Sequence, residues 1–271
     1  MLRVSILPMT RTRTGVVAAV VTLLMLGSAC SGDDEPALSL PSDAGRSGAD
    51  DQTSGEDETR EDGAADPLAG ETFLVAQAVS DRLVVRRSAQ EGADELTTLA
   101  AADEVSGKVV CLVVQQVGEW VEVRLPSGPV DRTGWVERDD VTFSHHRFRI
   151  EVSRSAHTLT LFTGEIVALS TPVAFGPDAP PAGEELFIKD LVQPPDPAGP
   201  YGSYAYGLSG SDNDVADFTA GSGVVAVHGT GDPSSLGGDV PFGAIAVGGD
   251  IVARLVDTIG LPLGTPVDIV D

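Results

Sequence analysis

The sequence predicts a mainly β protein: a small barrel, then a larger β-structured part with one α-helix near the C-terminus. Three observations predict it. Glycine (31) and proline (18) are plentiful among the 271 residues while aromatic residues make up only 5%, a composition suited to many turns. Apolar residues repeat with period two or fall in short β-branched runs. A single stretch near the end, Ile251, Val252, Leu255, Val256 and Ile259, has helical spacing.

The chain opens with Arg3, Arg11 and Arg13, then an apolar core over 15–26, then Gly27, Ser28, Ala29 and Cys30. A basic start, an apolar core too short to span a membrane comfortably and small residues at the end make a secretory signal peptide of residues 1–29. The ending resembles a lipobox, which implies a diacylglycerol on Cys30 and an exported protein held at the outer face of the cytoplasmic membrane. An ordinary cut near Ala29, releasing a secreted protein, is the other reading. The formal net charge is −24, and removing 1–29 takes away three arginines and no acid. Nucleic acid is excluded as a partner, because phosphate contacts need a basic face. Anionic lipid would repel the chain, so acyl chains would have to supply the membrane attachment.

Residues 30–70 read as the lipidated cysteine and an acidic linker. Aspartates and glutamates alternate with Ser, Gly and Pro, and almost nothing is available to bury against the entropy of ordering. A first folded module is expected over 71–143. Leu83, Val84 and Val85 and the run 109–114 read as buried strands. Trp120, Glu122 and Arg124 alternate with Val121, Val123 and Leu125, and Gly134, Trp135 and Val136 start a short strand ending near Val141. Trp120 and Trp135 are either core residues, the preferred reading, or a peptide-binding surface. Cys111 lies in an apolar run with no charge beside it and reads as an inert buried thiol.

A second module is expected over 147–271. Strands over 147–152 and 158–162 lead into a hairpin turn at Thr163, Gly164 and Glu165, and the strand continues over 166–175. Asp250 is the expected N-cap of the helix, which Gly260 and Pro262 end, and 264–270 is a closing strand. Tyr204 and Tyr206 read either as groove-lining residues or as ordinary strand residues. Asp212, Asp214 and Asp217 lack the ligand order of a metal site. Neither a metal nor a cofactor is expected.

The chemistry concentrates after the β-branched run 224–227. His228, Gly229 and Thr230 follow it, then Asp232, Pro233, Ser234 and Ser235, then Pro241, Phe242, Gly243, Ala244, Ile245 and Ala246. An imidazole between a strand and a polar loop is well placed for proton transfer. These residues resemble the signature of the L,D-transpeptidases, which cross-link peptidoglycan with a cysteine nucleophile. That family's HGT and DPSS segments match here, while its S-H-G-C-h-R motif falls on residues 241–246. The resemblance implies a general base at His228, a missing nucleophile at Ala244, a missing motif histidine at Phe242 and a missing Arg or Asn at Ala246. It also nominates Gly243 and Ala244 as oxyanion donors. The region over 118–136 resembles the small Src-homology-3-like barrels that precede some of these catalytic domains, and the second module an L,D-transpeptidase-like β-sandwich.

A methyl group at residue 244 has no lone pair with which to attack a carbonyl. The first expectation is therefore a catalytically inactive envelope lipoprotein that binds peptidoglycan stem peptides or an envelope protein. Alternatives are a transpeptidase or hydrolase of altered mechanism around His228, with Thr230, Ser234, Ser235 or an activated water as nucleophile, and a structural spacer.

Overall fold

The computed structural model describes residues 70–100, 107–129, 132–210 and 224–271. The signal segment, Cys30, nearly all of the acidic linker and the aspartates at 212, 214 and 217 lie outside them. The described chain is mainly β, in two sheets, one of them nearly barrel-like.

Seven strands make the first sheet: β1 (Phe73–Ala78), β2 (Arg82–Arg86), β3 (Glu95–Ala100), β4 (Val110–Val117), β5 (Trp120–Arg124), β6 (Thr133–Glu137) and β7 (Val141–His146). Their order is β3-β2-β6-β5-β4-β1-β7. The alternation in β5 does what period two requires: Val121 and Val123, with Leu125 just after, turn inward onto Ala76, Leu83, Val85, Cys111 and Val136. Each fully buried aliphatic side chain contributes roughly 1.5–3 kcal/mol.

The first sheet departs from expectation in three places. Trp120 and Trp135 stand on the half-buried outer face, opposite the inward valines, and belong to no part of the barrel core. The chain does not stop pairing at Val141 but makes a 3₁₀ turn, Arg138–Asp140, and runs on as β7. The apolar run 109–114 is buried only in its first half. Val114 is 52% exposed; it falls at the register irregularity between Val113 and Gln115, where the β4–β5 pairing skips it.

The second sheet has nine strands: β8 (Phe148–Ser153), β9 (Thr158–Thr163), β10 (Ile166–Pro172), β11 (Ala174–Phe175), β12 (Glu185–Val192), β13 (Ala205–Leu208), β14 (Ala226–Thr230), β15 (Ile245–Gly248) and β16 (Pro266–Val270). Their order is β10-β9-β8-β16-β12-β13-β14-β15-β11. Strand β12 serves both halves. Its start pairs with β16 and its end with β13, with a register irregularity between Ile188 and Asp190. Bulged strands that change sheets are how two half-sheets come to face one another. Ile150, Leu159 and Leu161 from one half meet Ile188, Leu208, Val227 and Ile245 from the other in a single core.

The helix is shorter than its apolar pattern. Helix α1 (Gly249–Ala253) passes into a π-helical turn, Arg254–Ile259, that ends at Gly260 in the left-handed region. Val252 and Leu255 face the core. The N-cap is Gly248, not Asp250, whose carboxylate sits in the first turn. There it still complements the helix dipole without accepting a capping bond.

Candidate functional site

His228 is the third residue of β14, not its last, and is 0% exposed. It is fixed from both sides, in register with Ala205 of β13 and with Ala246 of β15. Nδ1 lies 3.0 Å from the carbonyl oxygen of Gly229. A carbonyl can only accept, so Nδ1 carries the proton of the neutral ring and Nε2 carries the lone pair. Nε2 is buried and has no hydrogen-bond partner among the described residues. Burial pushes the pKa of the ring down to about 4, against a raising effect of the Gly229 carbonyl. The ring is therefore neutral at pH 7, and a weak base.

Two aromatic rings close over it. Tyr201 meets the imidazole edge-on at 5.0 Å between centroids, and Phe242 lies tilted at 6.3 Å. The two are themselves 5.7 Å apart in an edge arrangement. Phe242 continues into a small cluster with Val192, Ala205, Val224 and Ala226. Tyr201 is the participant that the histidine motif does not announce. Its only sequence signal is its place between Pro200 and Gly202, a turn segment far from His228 along the chain.

The motif residues diverge. Gly243, with φ of +69°, faces Nε2 so closely that a β-carbon there would lie well inside 3.0 Å of it. Ala244 is 0% exposed and its methyl belongs to the main core. Ala246, also 0% exposed, packs with Ala174 and Val240. The turn whose N–H groups are nominated as oxyanion donors is pinned through its carbonyls. Gly176 N–H donates to Ala244 at 2.9 Å and Asp178 N–H to Gly243 at 3.1 Å.

The hydroxyls near His228 in sequence are engaged in their own loop. Asp232 accepts from the amide and the hydroxyl of Ser234, at 3.0 and 2.6 Å. Ser235 Oγ donates to the Asp232 carbonyl at 2.7 Å, and Thr230 Oγ1 accepts the Asp232 N–H at 3.1 Å. These bonds build the 3₁₀ turn Pro233–Ser235. Tyr206 is a core residue whose hydroxyl donates to the Leu261 carbonyl at 3.4 Å, and Tyr204 reaches Asp257.

No family model matches the sequence, and no curated protein matches it. Solved structures it resembles include L,D-transpeptidases. One, residues 123–326 of the enzyme from Xylanimonas cellulosilytica, is 15% identical, with 46% of this chain and 60% of that chain covered and a TM-score of 0.35. The L,D-transpeptidase from Mycobacterium smegmatis is 15% identical over 62% of this chain and 92% of its own, with a TM-score of 0.37. One from Mycobacterium tuberculosis H37Rv is 14% identical over 70% and 77%, with a TM-score of 0.38. The chain thus spans less than two thirds of the Xylanimonas structure. These are likenesses of fold at TM-scores below 0.5, and what the site can do rests on this chain's own residues.

Proposed function

We propose that this chain is an exported envelope lipoprotein, attached through Cys30, whose L,D-transpeptidase-like part is catalytically inactive and binds peptidoglycan stem peptides or a wall-associated partner. The observation that supports this reading is the surroundings of His228. The residue at the general-base position sits with its lone pair against Gly243, under Tyr201 and Phe242, beside a residue 244 that ends in a methyl group. A base without a nucleophile retains little of a covalent mechanism, because such residues act as a unit. Retention of the full chain on purified sacculi tests the binding. Recovery entirely in the unbound fraction would refute it.

A second reading rests on one specific feature. An orphaned, buried nitrogen lone pair is costly and calls for an explanation. Activation of a water by Nε2, for hydrolysis or transfer on a stem peptide, would supply one. Product formation that disappears in His228→Ala would establish it.

A further inference from the structure

The cleft where β1 parts from β4 has the makings of a peptide site away from His228. Among the described residues, the only strand that β4 pairs with beyond Leu112 is β5. Phe73 and Leu74, which would run beside it, pair instead with β7 on their other edge. Between the separated strands lies a cleft of about 580 Å³. One side therefore presents strand edge with main-chain groups unclaimed by a neighbouring strand, the usual template for an added strand.

The opposite wall comes from the second sheet and carries an uneven charge. Glu185, Asp268 and Glu151 are in register across β12, β16 and β8, so three carboxylates stand side by side on one face. Like charges directly opposite one another are destabilising. Two guanidiniums answer them. Arg124 from the barrel pairs with Glu185 at 3.2 Å, and Arg149 approaches Glu151 at 3.9 Å while lying over the Phe162 ring. Among the described residues, the middle carboxylate, Asp268, has no salt bridge of its own. Burial first, then Glu185, raises its carboxyl above the ordinary range, and Arg149 and Arg124 offset this only in part, as expected of a partly desolvated anion in a row of like charge.

We propose that this cleft binds an extended peptide carrying a primary ammonium group, its backbone added along the free edge of β4 beyond Leu112 and its ammonium set against Asp268. The occupant follows from charge complementarity. Three acids and two arginines leave one negative charge at the middle of the row, and the open edge asks for a strand. The site is independent of whether His228 supports any turnover.

Four synthetic peptides test it, each titrated into the full chain at 150 mM salt: acetyl-Thr-Val-Lys-Val-Thr-amide, its norleucine counterpart, and the lysine peptide N-methylated at alternate residues in each of the two registers. The lysine peptide is expected to bind at least tenfold more tightly than the norleucine peptide. It should also bind tenfold more tightly than the N-methylated peptides of both registers, which keep the charge but cannot pair along a strand. Asp268→Asn, verified as folded by circular dichroism, should erase the lysine preference. Equal binding of the lysine and N-methylated peptides would reduce the effect to attraction by an acidic protein and overturn the proposal. So would a lysine preference that survives Asp268→Asn, or no binding of any peptide. No peptide contains a wall component, so failure here leaves the reading of the His228 site untouched.

Discussion

The Nε2 lone pair of His228 faces the α-carbon of Gly243, and no β-carbon fits between them. This contact decides what the site can do. The nitrogen that should take a proton from a nucleophile at residue 244 instead abuts the backbone one residue earlier, beneath two aromatic rings.

Gly243→Ala should therefore destabilise the fold by about 2–5 kcal/mol. A left-handed backbone costs a non-glycine residue roughly 1–2 kcal/mol, and overpacking costs a further 1–3 kcal/mol. Urea denaturation measures the loss. The double variant with His228→Ala should recover the overpacking part and leave the backbone part, so the two substitutions should be non-additive. Simple additivity would place the ring elsewhere.

Stability should depend on pH through His228. Its pKa falls from 6.5 to about 4 on folding, so between these values the unfolded chain binds the proton and the folded chain does not. Above pH 6.5 the contribution is complete. It is lost as pH falls towards 4, to a total of about 3 kcal/mol at 1.36 kcal/mol per unit. Asp140 and Asp268, whose carboxyl pKa values are raised in the fold, act in the opposite direction, favouring the folded state as pH falls. The diagnostic quantity is accordingly the difference between the wild-type profile and that of His228→Leu. An identical slope in both would show that the ring is solvated.

Restoring the arginine of the family motif by Ala246→Arg should not rebuild a site. The Ala246 methyl is enclosed with Ala174 and Val240, and a guanidinium there would be a buried charge without a partner. Losses above about 4 kcal/mol belong to such cases. A low soluble yield and a non-cooperative melt are expected, and a melting temperature near that of wild type would contradict the packing.

Cys111 is fully buried, and burial pushes its thiol pKa up to about 12. A maleimide at pH 8 should leave this residue unmodified in the folded protein and label it quickly in denaturant, because the thiolate is the reactive form. Fast labelling under native conditions would mean that the barrel opens.

Much of the fold was legible because it is local. The alternation over 120–125, the hairpin turn at Gly164 and the closing strand each follow from neighbours in sequence, and all three form. The departures come from pairing and packing. The exposure of Val114 goes with the register irregularity between Val113 and Gln115, which the apolar run does not record. The outward turn of Trp120 and Trp135 follows the parity of their strands, since the inward positions are taken by valines. His228 was legible as the chemically distinctive residue, but its depth was not. Its cover is Tyr201 and Phe242, brought from either side along the chain, and β14 runs on to Thr230 before the loop begins.

The most direct test of the central claim is turnover of tetrapeptide-containing muropeptides by the full chain, analysed by mass spectrometry beside His228→Ala. A protein in which His228 is sealed and residue 244 is an alanine should give neither cross-linked nor trimmed product, and the two proteins should be indistinguishable. Product from the wild type that is absent from His228→Ala would contradict the inactive reading and establish a mechanism that dispenses with cysteine.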